Sequence, residues 1–394
     1  MTIGILNSIR SRDKLYKKLH QTSSAKPVYF ILKERLKNFN SVLRLVINNA
    51  KQIFYQNEFN KHKNDIKKTW EIIKSIIKNS DNKNVTPKFI LDNNNLHITN
   101  KKEIADKFND FFVNIGTVYS SKIISNGKKP FDSYLPQTPK LLFNFNFVNE
   151  TTVSHIIANL QPKPTRGYDG ISSKLINQFS HALIKPITMI INQSLNTGIF
   201  PDQLKIAKVI PIYKNNNLDV NDLNNYRPIS ILPTISKIFE RIVYDQVYNY
   251  LEKNSLLYIS QYGFRPKHST EFAVIELIDE IYKHLDNSKN PLVVFCDLSK
   301  AFDTLDHTIL LKKMKSFGLS DKTIGWFKNY LSNRKQYVVL DNTSSSFMSI
   351  KTGVPQGSIL GPLLFLLYVN DLSTSTQAKL FHMQMTPVYW LQCP

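Results

Sequence analysis

The stretch "VVFCDLSKAFD", residues 293–303, sets one carboxylate, Asp297, at the end of a continuous apolar run. An acid held at the mouth of a buried strand costs free energy unless it is paired or binds a cation. Magnesium takes a few carboxylate oxygens together with the phosphates of a substrate. Asp297 suits that chemistry, although a helix-capping or salt-bridged aspartate is an equally available reading of this stretch alone. Two other residues are read more plainly. Asp371, in "YVNDLS", closes an apolar segment and reads as a cap or turn residue. Cys296 reads as a small buried hydrophobe. With Cys393 it makes two cysteines in 394 residues, too few for a disulfide framework or a zinc cluster.

These residues need elements to hold them. "PLVVFCDL" reads as a strand. After it, Asp306 can cap a helix that Gly318 stops, and Ser320 can cap the next. "QYVVLDNTSSSFMSI" reads as a hairpin with its turn near Asn342, and "GVPQGSILGPLLFLLYVNDL" as a Gly/Pro loop feeding an apolar helix. "KVIPIY" (208–213) reads as a strand whose Pro211 implies an edge or a bulge. "TISKIFERIVYDQVYNYL" places Ile235, Ile238, Phe239, Ile242 and Leu251 at helical spacing. "STEFAVIELIDEIYKHL" does the same with Ile275, Ile278, Tyr282 and Leu285. The first 80 residues are helical in pattern. Val42, Leu45, Ile47, Ile53 and Phe54 share one predicted face; Ile66, Trp70, Ile73 and Ile77 share another. "KFILDNNNLHIT" reads as a hairpin. Ile104, Phe108, Phe112 and Ile115 line a third helix. Several helices on a small antiparallel sheet predict an α+β fold.

Five fragments in a fixed order carry a resemblance. "GYDGISSKLI", "VIPIYKNNN" with "NYRPISILPTISKIFERIV", "QYGFRPKHSTEFAV", "VVFCDLSKAFD" and "GVPQGSILGPLLFLLYVNDL" resemble successive blocks of the reverse transcriptases of non-LTR (LINE-type) retrotransposons. The earlier part, through "FNDFFVNIG" and the Trp70 segment, is similar to the basic connector that precedes the polymerase in those elements. The resemblance implies a right-hand polymerase, with fingers and a partial palm over residues 150–381, preceded by a helical basic connector over 1–130. It implies nucleotidyl transfer from deoxynucleotide triphosphates to a DNA primer on an RNA template, with two Mg2+ ions. Asp297 would be the first catalytic and metal-binding carboxylate, and the Leu298 backbone carbonyl would help hold the second ion. Phe302 would sit under the incoming sugar and reject a ribose. Lys214 and Arg227 would reach the triphosphate, and Gln356 and Gly357 would pack against the templating pair and the nucleotide. Asp303 would fix the turn.

One part of the pattern is missing. The family supplies further carboxylates from a Tyr-Ala-Asp-Asp hairpin shortly after the Gly/Pro loop and its helix. Here "FHMQMT", residues 381–386, stands in that place. His-Met-Gln-Met-Thr is encoded CAY-ATG-CAR-ATG-ACN. Read from the third base of the histidine codon, it becomes YAT-GCA-RAT-GAC, which permits Tyr-Ala-Asp-Asp. Residues 382–394 are therefore expected to be an out-of-frame tail, and the chain to lack polymerase activity. Histidine and methionine cannot replace the acids, because magnesium prefers hard oxygen ligands.

Composition supports an anionic partner. The formal net charge is +21. The first 100 residues hold 19 basic and seven acidic side chains, more than half of that surplus. Nucleic acid is the first candidate partner and an anionic membrane surface the second. The basic helices fit either a solvated face or one that tracks phosphates. No apolar run is long enough for a signal peptide or a membrane span. An intracellular protein is expected, in nucleus or cytoplasm, with no membrane partner.

Overall fold

The computed structural model describes residues 2–22, 27–63, 65, 68–70, 72–73, 86–87, 89–91, 97–122, 131–135, 139, 142–214, 218–375, 378–383 and 386–392. The chain divides into two compact units, Met1–Lys83 and Asn84–Pro394.

In the first unit, α1 (Ile3–His20) packs along α2 (Pro27–Lys61). The predicted helix is present, but its buried face is a different one. Leu32, Leu36 and Leu43 are buried, whereas Val42, Leu45, Ile53 and Phe54 are exposed. Both stripes have helical spacing, and only the first is covered. The Trp70 segment lies largely outside the described residues; Trp70 itself is exposed.

The second unit opens with a hairpin, β1 (Ile90–Leu91) and β2 (His97–Ile98). The helix α3 (Lys101–Ser120) follows, capped by Asn100, whose side chain accepts from the N–H groups of Lys102 and Glu103. Three helices come next: α4 (Glu150–Asn159), α5 (Ser173–Gln178) and α6 (Ser180–Thr197). Then come β3 (Ile206–Tyr213), β4 (Tyr226–Ile231), α7 (Thr234–Lys253), α8 (Thr270–Asp286) and β5 (Pro291–Phe295). The remaining elements are α9 (His307–Ser316), α10 (Asp321–Leu331), β6 (Lys335–Leu340), β7 (Thr343–Ser344), β8 (Met348–Ser349), α11 (Leu360–Val369), β9 (Lys379–Met383) and β10 (Thr386–Gln392).

Helices and strands mix as expected, but the larger sheet is not purely antiparallel. Its order is β4-β3-β6-β7, with β8 also on β6. β3 pairs antiparallel with β4 and parallel with β6. A parallel pair needs a long crossover, and the segment from α7 to α10 supplies it. β3 is therefore internal, and Pro211 is tolerated for a local reason. The β6 ladder ends at Val209, so nothing on that side asks Pro211 for an N–H. Ile104, Phe108 and Phe112 of α3 share a core with Ala207, Val209, Tyr226 and Val338 of this sheet. The last helix of the expected connector thus packs onto the sheet.

The main core joins α4, α6, α7, α9, α10 and α11. It includes Val153, Ile191, Phe239, Val247, Leu310, Trp326 and Phe365, all essentially without solvent contact. Trp326 also satisfies its indole N–H on Ser194 Oγ at 3.0 Å, as a buried Trp must. The predicted caps are in place: Asp306 accepts from Ile309 N–H and Ser320 from Thr323 N–H. Asp341 and Asn342, both at positive φ, make the tight turn between β6 and β7. The smaller sheet has the order β5-β10-β9, all antiparallel.

Candidate active site

Asp297 lies two residues past the end of β5. The strand that carries it is less enclosed than its composition implies, because Leu292, Val294 and Phe295 are exposed. Asp297 is likewise exposed rather than desolvated. Cys296 is half-buried, not fully buried. Asp297 and Leu298 line an open cavity of about 380 Å³ with Lys313, Tyr368 and Asp371. Asp371 is already engaged there. Its carboxylate accepts from Lys313 Nζ at 2.6 Å, and the same ammonium donates to the Tyr368 carbonyl.

Beyond Asp297 the chain turns sharply. Lys300 takes a positive φ of 56°, and its carbonyl accepts from the N–H groups of Asp303 and Thr304. This turn is stitched to the Gly/Pro loop. Val354 N–H donates to the Phe302 carbonyl and Gly353 N–H to the Leu305 carbonyl, each at 2.8 Å. His307 Nε2 bonds the Gly353 carbonyl at 2.7 Å. Gly353, at φ +78°, cannot be replaced cheaply, since a Cβ there would come within 2.7 Å of the Phe302 and Asp303 carbonyl oxygens.

Four of the predicted residues meet at this junction or beside it. Phe302 is half-buried against Phe264 and Phe365. The next residue, Asp303, receives Gln356 Nε2 on both carboxylate oxygens at 2.9 Å. Burial pushes the Asp303 carboxyl up to about 6, against the opposing pull of that hydrogen bond and of Lys300 and Lys214. The Gln356 carbonyl accepts from Ser230 N–H of β4 at 2.8 Å. Gly357, at φ +122°, lies so close to β4 that a Cβ would meet the Ser230 oxygen at 2.6 Å.

Lys214, just past β3, and Arg227, on the adjoining β4, are both exposed. Lys214 follows β3, donates to the Asn224 carbonyl and lies within the electrostatic field of Lys300. Arg227 lies on β4 opposite Ile212.

Glu240 was not anticipated as part of this assembly. This residue of α7 is fully buried. It accepts from the N–H groups of Ile359 (2.6 Å) and Leu360 (3.5 Å) at the start of α11, from Ser236 Oγ and from Tyr330 Oη. Burial raises its pKa, and the field of the buried Arg334 opposes that rise. α11 has no side-chain cap of its own, so Glu240 caps it from another element. The signal was legible: an acid sits inside the apolar stripe Ile238, Phe239, Ile242.

The β9–β10 hairpin lies alongside β5, with Val388 opposite Phe295. Continuing that register by two residues would set Thr386 level with Asp297. The donors described around Asp297 are its own carboxylate and the Leu298 carbonyl, with Asp371 held by Lys313. Among the described residues no three His, Cys, Asp or Glu side chains gather as a metal-binding group. This set does not fit a pair of divalent ions.

Residues 212–389 match the family model described as reverse transcriptase (RNA-dependent DNA polymerase). The chain is 29% identical over 245 residues to the RNA-directed DNA polymerase from mobile element jockey of Drosophila melanogaster, covering 62% of this chain and 26% of that protein. It is 32% identical over 216 residues to the probable RNA-directed DNA polymerase from transposon BS of the same organism, covering 55% of this chain and 24% of that protein. For the probable RNA-directed DNA polymerase from transposon X-element, also from Drosophila melanogaster, the identity is 31%, covering 56% of this chain and 24% of that protein. The chain thus spans about a quarter of the length of these curated relatives. No helix among the described residues is long and apolar enough to cross a membrane. Residues 212–389, which contain Asp297, Phe302 and Gly357, thus match the reverse transcriptase family of nucleotidyltransferases, and the relatives this chain resembles are RNA-directed DNA polymerases of mobile elements.

Proposed function

We propose that this chain is the nucleotide- and template-holding part of an RNA-directed DNA polymerase, with fingers and a partial palm, whose catalytic step is silent. β3, β4 and the loop at 353–358 form the nucleotide side of the site. Lys214 and Arg227 offer charge to a triphosphate. Gln356, fixed by Asp303, and Gly357, free of a side chain, offer a flat floor to a nucleotide. Phe302, backed by Phe264 and Phe365, is a rigid ring suited to exclude a 2′-hydroxyl. An RNA template and a DNA primer are the partners this site calls for, and the basic first unit favours phosphate contacts with either.

The observation that carries the silent reading is the donor count. Mg2+ is the ion that Asp297 and the Leu298 carbonyl would take, and the described residues do not supply the carboxylates for two. No step is therefore assigned to metal in this chain. Residues 382–394 are read as an out-of-frame tail, and the part of it in β9 and β10 lies beside β5 without the family's acids.

Primer extension on a primed RNA template with Mg2+ tests this. The chain is expected to give no extension. Extension abolished by Asp297→Ala would overturn the reading. A chain carrying Met383→Tyr, Gln384→Ala, Met385→Asp and Thr386→Asp is expected to gain measurable extension, because the register brings position 386 level with Asp297.

A further inference from the structure

We propose that Lys300 is a further phosphate-binding residue of this site, meeting the triphosphate of an incoming nucleotide jointly with Lys214. The inference rests on the nucleotide-site reading above and adds a contact to it.

Lys300 is half-buried, and among the described residues it forms no ion pair within bonding distance. A partly desolvated cation without a partner is costly. Asp297 and Asp303 are equally near in sequence; Asp303, bound through both oxygens by Gln356, and Asp222 attract the ammonium only from beyond ion-pairing distance. What the ammonium does have is the Phe111 ring of α3, 5.3 Å from its centre. That contact holds the side chain in place without setting a carboxylate at ion-pairing distance from it.

The backbone adds a second observation. A lysine at φ +56° is strained, and strain of this kind persists where surrounding structure fixes it. Here the turn 300–304 and the loop at 353–354 do so. The strained turn carries Lys300 between Asp297 and Phe302 in the chain, and the charge of Lys214, which follows β3, acts on it. Two like charges brought together by separate elements repel each other, and a polyanion between them would turn that repulsion into attraction. A triphosphate beside Phe302 is such an anion, and it would take Lys300 from the palm side and Lys214 from the fingers side.

The test is lysine footprinting of the full chain with acetic anhydride, read by mass spectrometry, with and without inorganic tripolyphosphate. Tripolyphosphate is expected to slow labelling of Lys300 and Lys214 several-fold and to leave the exposed Lys328 unchanged. Lys300→Met is expected to weaken tripolyphosphate binding about tenfold, the worth of one charge-assisted contact, and Lys300→Arg to keep most of it. Protection of Lys214 with unchanged labelling of Lys300 would sink this proposal and leave the nucleotide site standing. Absence of any tripolyphosphate binding would remove both. If Lys300→Met does not fold, the footprint on the unaltered chain still decides.

Discussion

At the scale of single residues, the site depends on two groups that do no chemistry. Asp303 holds Gln356 from a half-buried position, and its carboxyl is raised to about 6. A raised carboxyl means that the folded chain keeps a proton the unfolded chain has released. Stability contributed by this group is therefore fully present below its ordinary value of 3.8 and is lost as pH rises to about 6. The swing is on the order of 3 kcal/mol at most. Asp303→Asn removes that dependence while keeping an acceptor for Gln356. Urea unfolding at pH 4.5 and 7.5 should show the variant gaining stability relative to the parent at the higher pH; an equal difference at both would refute the assignment. Gly357 is the second group. Gly357→Ala puts a methyl 2.6 Å from the Ser230 oxygen at a φ that side chains avoid, at a cost of about 1–3 kcal/mol. A fall in melting temperature together with weaker nucleotide binding is the expected readout, since the loop must leave β4.

At the scale of elements, the key join is between α7 and α11. Glu240 satisfies two N–H groups that α11 cannot satisfy itself, and it offsets the buried Arg334. Glu240→Ala orphans those donors and leaves a buried cation uncompensated, which costs about 3–5 kcal/mol. Glu240→Gln keeps one acceptor oxygen and should cost less. Chemical denaturation ranks the two, and equal losses would deny the capping role. The elements were legible in the sequence wherever a local signal existed. Asp306 and Ser320 announced helix starts and Asn342 a turn. Faces were harder. Ile275, Ile278, Tyr282 and Leu285 have helical spacing, yet on α8 they are exposed while Ala273 and Leu277 are buried. Spacing tells that a stripe exists, and only the neighbouring elements decide whether it is covered. The parallel β3–β6 pairing was illegible for a related reason. Its partners are 129 residues apart, Ile206 with Lys335, and nothing local signals that pairing.

At the scale of the whole molecule, charge dominates. A net +21 predicts nucleic-acid binding that weakens steeply with salt, the logarithm of the binding constant falling linearly with that of the salt concentration. Titration of the full chain with primed RNA between 50 and 200 mM KCl, a range over which six to ten phosphate contacts lose about 10³–10⁵ in affinity, checks this; a flat response would place the basic residues on solvated faces alone. The β3–β6 pairing also bears on how the chain is made. On the ribosome, β3 and β4 emerge long before β6, so this sheet keeps an unsealed flank while the segment bearing Asp297 is still being translated. Unsealed flanks invite pairing between chains, and distant pairings form slowly. A message cut short before codon 335 would release β3 and β4 with the edge meant for β6 unpaired, and aggregation rather than a smaller folded domain is the fate its topology sets.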